Sequence, residues 1–273
     1  MLVVFSRQKI IVEFFLIILY NNLICILYIE SRKMIMKAYR IHLIRHGLTE
    51  DNIKGVYSGR NETSLSEDGK AQLMQMKEEY KYPEVDFVFS SPLKRCTETA
   101  EILYPHLKPI VIDELTEYNF GEFEGRTADE LHEKEPLFDR WLLGEENIKP
   151  PFGESNREFI DRICNCFVKI IDGIVKSGSD NVAIITHGGV ISSLLSNFGI
   201  PEASVSEWMT PSGCGYTLLV SHFLWMSGHK AEVIKELPGI PQDEAEGNYY
   251  DGWDYYPNDE DFDISEYLND WKD

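Results

Sequence analysis

Basic residues are scarce: 26 Lys and Arg against 46 Asp and Glu in 273 residues leave a formal net charge of -20. A surface of that sign repels nucleic acid and anionic lipid, which excludes a general binder of phosphate backbones. Any anionic substrate must then be captured by a local basic pocket. Cysteine is also sparse and poorly arranged for cross-linking. The five, Cys25, Cys96, Cys164, Cys166 and Cys214, are odd in number, form no CxxC pair and have no histidine at zinc-finger spacing. Neither a disulfide framework nor a structural zinc site is expected, and the compartment reads as reducing and cytoplasmic. Internal repeats are missing too. What is present, 43% hydrophobic and 26% charged residues, is the composition of a globular chain able to bury a sizeable core.

The charge is concentrated at one end. Residues 241–273 hold twelve acids and one Lys, together with eight aromatic residues, so this tail supplies 11 of the negative charges. Solvating tails are usually poor in aromatics, so the segment 239–273 reads equally as a solvated end or as one that docks on the domain or a partner. At the other end, 10–29 is an apolar stretch of membrane-spanning length, interrupted by Glu13, Asn21 and Asn22 and lacking a small-residue cleavage site. Two readings stand for 1–35: a membrane anchor, or an upstream stretch with translation starting at Met34 or Met36. The late start fits better, because an acid in a marginal span is costly and globular patterning begins only at Lys37.

Between the ends, 36–238 alternates strand-like and helix-like segments. The runs 39–44 (YRIHLI), 86–89, 110–112 and 182–185 (VAII) predict short buried strands, and 67–80, 93–103, 128–143 and 156–175 predict helices. In the last of these, apolar residues from Phe159 to Ile174 recur at three-and-four spacing. Two late strands, 217–223 and 231–237, could form a hairpin. Alternation of this kind implies a three-layer α/β/α fold, a mostly parallel sheet with helices on both faces.

Three predicted strands run directly into chemically capable residues: Arg45-His46-Gly47, Ser90-Ser91-Pro92 and Thr186-His187-Gly188-Gly189. Ligands of open parallel sheets bind at strand C-terminal ends, so His46 and His187 could share one crevice. The glycines that follow them let a backbone approach a ligand and expose amide donors to an anion. Arg45 offers a guanidinium fork suited to phosphate. Arg95, one turn into the next helix, could reach the same anion, although from spacing alone a surface arginine is the better expectation.

These residues resemble the histidine phosphatase superfamily, also called the phosphoglycerate mutase-like fold. RHGLTEDN (45–52) is similar to its RHGxTxxN signature, and SSPLKRCTETA (90–100), LTEYNFGEFEG (115–125), PFGES (151–155) and ITHGGVI (185–191) are similar to its later blocks, in order. The resemblance implies that His46 is the nucleophile, that Arg45, Arg95 and His187 surround the phosphoryl oxygens, and that Glu117 protonates the leaving oxygen. It also places Thr49, Asn52, Ser58 and Gly188 on the substrate side, and it implies neither a metal nor a cofactor. The chemistry is sound on its own terms. A neutral imidazole is a competent nucleophile, cationic neighbours disfavour its protonation, and fixed guanidinium donors stabilise a transferring phosphoryl group.

Within the family, mutases carry ERHYG after the acid, whereas this chain has Glu117-Tyr118-Asn119-Phe120-Gly121. The missing basic pair points to a phosphomonoesterase acting on a small phosphorylated metabolite, similar to alpha-ribazole phosphatases and broad-specificity bacterial phosphatases. Glu62 and Ser64 stand where many members carry Asp and Pro, and that leaves the substrate open. Phe138, Trp141 and Leu142 could wall the pocket, but at helical spacing core is the better expectation. A phosphoglycerate mutase-type transferase, an inactive binding protein on the same fold, and a phosphatase tethered to the membrane through 10–29 are the alternatives.

Overall fold

The computed structural model describes residues 38–145 and 148–239; the expectations for the apolar N-terminal segment and the acidic tail lie outside the described residues. Its centre is a seven-stranded sheet in the order β3-β2-β4-β1-β6-β7-β5. The strands are β1 (Ala38–Arg45), β2 (Phe87–Ser90), β3 (Ile110–Val111), β4 (Asn181–Thr186), β5 (Gly199–Ile200), β6 (Gly215–Ser221) and β7 (Ala231–Leu237). Only β6 runs against the others, antiparallel to both β1 and β7. The helices are α1 (Glu50–Ile53), α2 (Glu67–Glu79), α3 (Lys94–Leu103), α4 (Ala128–Lys134), α5 (Phe138–Leu142), α6 (Asn156–Ser177), α7 (Gly188–Phe198) and α8 (His222–Gly228).

Strand alternation divides the interior in two. In β4, Val182 and Ile184 enter the core shared with α6 and α7, whereas Ala183 and Ile185 enter the one shared with α3. A strand apolar on both faces is the signature of a sheet covered on both sides, and this is the three-layer fold expected. The helix α6 supplies more buried residues to the larger core than any other element. Its buried stripe runs Phe159, Ile163, Cys166, Phe167, Ile170, Ile171 and Ile174. A fully buried apolar side chain of this size contributes about 1.5–3 kcal/mol. A capping box between Ser155 and Glu158 starts the helix, and Gly178, at φ 82°, ends it.

Several expected elements differ. The helix predicted over 128–143 is two helices, because Pro136 lacks the N–H a helix needs and Glu135 before it turns extended (φ -120°, ψ 101°). Strand β6 stops at Ser221, whose hydroxyl caps α8 by accepting from Leu224 N–H at 3.3 Å, so Phe223 is helical rather than extended. The strands β6 and β7 do pair antiparallel, but α8 connects them in place of a tight hairpin turn. The sequence reading also passed over α1, α7 and β5. Phe138 and Trp141 are core: both are buried in an aromatic cluster with Tyr57, Tyr118, Phe120 and Phe123.

Candidate active site

The pairing of β1 with β4 places the two histidines. Arg45 lies opposite Thr186 in the parallel register, and His46 N–H donates to Thr186 O at 2.9 Å, so the residues that leave these strands leave side by side. His46 and His187, far apart in sequence, meet edge to face with ring centroids 5.2 Å apart. His46 Nδ1 lies 2.7 Å from Gly47 O. A carbonyl only accepts, so Nδ1 carries the proton and Nε2 keeps its lone pair. Burial above all, then the charges of Arg95 and Arg45, holds the His46 pKa well below the ordinary histidine value. The arginines expected to keep this imidazole neutral are therefore second to desolvation. His187 is held low for the same leading reason, followed by Arg95, His46 and Arg45. Its Nε2 pairs with Ser91 Oγ at 2.8 Å and lies 3.5 Å from Cys96 Sγ.

Arg95 is fully buried, so the surface position that spacing favoured is not where α3 puts it. Its Nη1 donates to Asn61 O (2.9 Å) and its Nη2 to Gly59 O (2.6 Å), which ties the 58–61 loop to the site. Arg45 Nη1 donates to Thr210 O at 2.7 Å. The Nε–H of each arginine is buried without a partner in the protein. Unpaired buried donors are rare in native proteins, and two cationic ones beside the histidines are what an oxyanion would satisfy.

Glu117 is only 8% exposed, not the loop-surface carboxylate that its isolated sequence context allowed. It accepts from Tyr118 N–H (2.9 Å) and from Gly189 N–H (3.0 Å) in the first turn of α7. A Cβ at 189 would fall 2.6 Å from Glu117 Oε1, so any larger residue there would displace the carboxyl. Burial raises the Glu117 pKa, against the two N–H bonds and the arginine charges that pull it down. The site thus holds a carboxyl biased toward its acid form and an imidazole biased toward its base form, the division of labour that acid and nucleophilic catalysis need.

Thr49 is the buried N-cap of α1. Its hydroxyl donates to Asn52 Oδ1 (2.9 Å) and accepts from Asn52 N–H (3.2 Å), which leaves the Asn52 amide nitrogen outside the capping pair. Ser58 Oγ donates to Asp51 Oδ2 at 2.9 Å, and Thr63 Oγ1 does the same at 2.6 Å. The hydroxyls of Thr49 and Ser58 are thus spent within the loop. Gly188 packs against the Arg45 guanidinium, where a Cβ would stand 3.3 Å from Nε. Glu62 Oε2 accepts from Lys94 N–H at 3.3 Å at the start of α3.

The profile of the histidine phosphatase superfamily, branch 1, matches residues 41–223. The chain belongs to that superfamily. An adenosylcobalamin/alpha-ribazole phosphatase of Salmonella typhimurium is 31% identical over 179 residues, 64% of this chain and 87% of that protein. A broad-specificity phosphatase of Saccharomyces cerevisiae is 30% identical over 163 residues, 57% of this chain and 68% of the yeast protein. Among solved structures, the alpha-ribazole phosphatase of Shigella flexneri superposes with a TM-score of 0.63 at 25% identity, covering 74% of this chain and 98% of its own. A phosphoglycerate mutase of Thermus thermophilus superposes at 0.52 with 27% identity, covering 72% and 98%. This histidine phosphatase is accordingly an enzyme of the phosphatase type.

Around the histidine phosphatase site the structure adds residues that the sequence reading did not assign. Ser91 orients His187. Thr99 Oγ1 accepts from Gly47 N–H at 2.9 Å and donates to Arg95 O at 2.7 Å, joining the loop after β1 to α3. Arg162 of α6 donates to Glu114 O (2.8 Å), Thr116 O (2.9 Å) and Glu117 O (3.2 Å), and pairs with Glu154 at 2.5 Å. Glu154 stands in the PFGES block, which offered a signal; Arg162 on a polar helix face offered none. Among the described residues no group of three or more His, Cys, Asp or Glu is placed to hold a metal ion, and no helix is long and apolar enough to cross a membrane.

Proposed function

We propose that this protein hydrolyses a small phosphorylated metabolite through a phosphohistidine on His46, with 36–238 as the catalytic unit. The reading is carried by the lone pair on His46 Nε2, beside His187 and two buried, unpartnered guanidinium N–H groups. Nε2 attacks phosphorus and the ester P–O bond breaks. The proton of the Glu117 carboxyl passes to the departing oxygen, and Arg45, Arg95 and neutral His187 hold the equatorial oxygens. In the second half a water attacks phosphorus and gives its proton to the Glu117 carboxylate. The N–P bond breaks, its electron pair returns to Nε2, and inorganic phosphate leaves. Asn52 and Gly188 face the phosphate, while Thr49 and Ser58 contribute by shaping the loop that carries Asn52.

Hydrolysis rather than transfer to a second acceptor fits the residues after the acid. Tyr118 is buried, with its hydroxyl 2.8 Å from Trp141 Nε1, and Asn119 donates to Phe152 O at 3.2 Å. Neither supplies a cation for a second anionic group. The relatives named for alpha-ribazole make its phosphate one substrate to screen. Hydrolysis of p-nitrophenyl phosphate in EDTA, lost in His46→Ala, and an adduct labile to acid and stable to base are expected. An acid-stable adduct, or no turnover anywhere from about pH 5 to 8, would overturn the mechanism.

A further inference from the structure

Phe152 is 87% exposed and yet has a φ of 60°, in the left-handed region that bulky residues avoid. The turn imposes it. Gly153 N–H donates to Pro150 O at 2.8 Å, so Pro150, Pro151, Phe152 and Gly153 form a β-turn with proline at its second position and Phe152 at its third. A positive φ at that third position is normally served by glycine or asparagine. Neighbouring loops hold the turn in place. Glu122 N–H donates to Pro151 O at 3.0 Å, and a Cβ on Gly121 would fall 2.0 Å from the same oxygen. The strain is not offset by burial, and Phe152 makes no ring contact among the described residues.

The turn is tied to the segment that follows Glu117. Asn119, whose side chain holds Phe152 O, is two residues from Glu117, and two residues span at most about 7 Å. The next residue in that segment, half-buried Phe120, meets the half-buried Tyr57 ring at 5.0 Å. An exposed aromatic ring, held in a strained turn that is bonded two residues past Glu117, offers a free face for stacking.

We propose that Phe152 is a specificity-determining residue, a stacking face for the leaving group that selects phosphomonoesters of ring-bearing alcohols over those of short aliphatic ones. The inference rests on the phosphatase reading above. Its test compares 1-naphthyl phosphate with glycerol 2-phosphate in wild type, Phe152→Gly and Phe152→Trp. Phe152→Gly should raise KM for the naphthyl ester about 3- to 10-fold and leave that for the glycerol ester within about twofold. Its melting temperature should be no lower than wild type, because glycine accepts the turn. Phe152→Trp should retain the naphthyl preference. A naphthyl-to-glycerol KM ratio unchanged in Phe152→Gly would overturn the proposal while leaving the phosphatase reading intact. A wild-type protein that hydrolyses neither ester would overturn that reading, and the proposal with it.

Discussion

Replacing Glu117 by Gln tests the proton donation proposed for it apart from every other role of the site. Gln keeps the size of the side chain and one acceptor for the N–H groups of Tyr118 and Gly189, now at 2.9 and 3.0 Å, but has no proton to give. A general acid in place contributes about 10²- to 10⁴-fold, and it matters most where the leaving oxygen is strongly basic. The kcat for an alkyl ester such as glycerol 2-phosphate should therefore fall by about that factor. A nitrophenolate leaves without help, so p-nitrophenyl phosphate should lose less than about tenfold. Thermal unfolding supplies an independent reading. The folded pKa of Glu117 is raised by burial, so its contribution to stability is fully present below the unfolded carboxyl pKa and is lost as pH rises through the raised folded value. Turning one amide N–H₂ toward a backbone donor costs Glu117→Gln about 1–3 kcal/mol at every pH. The melting temperature of the variant relative to wild type should thus climb as pH rises past the ordinary carboxyl range. Equal losses on both esters, or a stability difference that ignores pH, would refute the assignment of Glu117 as the acid.

Arg162→Met should reproduce the leaving-group signature of Glu117→Gln at smaller size, about 10- to 100-fold in kcat for the alkyl ester with KM little changed, because Arg162 positions Glu117 through its carbonyl; a uniform loss on both esters would reduce it to a structural role. Arg45→Met should weaken inhibition by inorganic phosphate about 10- to 100-fold, the loss of one charged hydrogen bond; an unchanged inhibition constant would remove Arg45 from the phosphate site. Both buried histidines have lowered pKa values, so their stability contribution is complete above the unfolded value of about 6.5 and is lost as pH falls through the folded values. His187→Asn should flatten that acid-side decline in melting temperature and lower kcat, and a decline as steep as in wild type would contradict the assignment.

The sequence alone carried the architecture and named most of the residues proposed for the site. Apolar runs and amphipathic periods report burial, and burial on both faces of short strands already implies a covered parallel sheet. The blocks around His46, Arg95, Glu117 and His187 are local strings whose order survives in the chain, so the chemistry proposed for them could be put forward without coordinates. What strings do not carry is the direction of a side chain across a fold. Only tertiary structure decided that Arg95 is buried rather than at the surface and that Thr49 and Ser58 spend their hydroxyls inside a loop, whereas the core placement of Phe138 and Trp141 was already the better expectation from helical spacing. It also brought Arg162 to the Glu117 carbonyl and Ser91 to the His187 ring, and let Pro136 cut a predicted helix in two. In each case the deciding partner is remote: the 58–61 carbonyls for Arg95, the Glu117 carbonyl for Arg162, the His187 ring for Ser91. Pro136 is the exception, a local signal outweighed by a strong helical period, and it shows that a missing N–H overrules hydrophobic patterning.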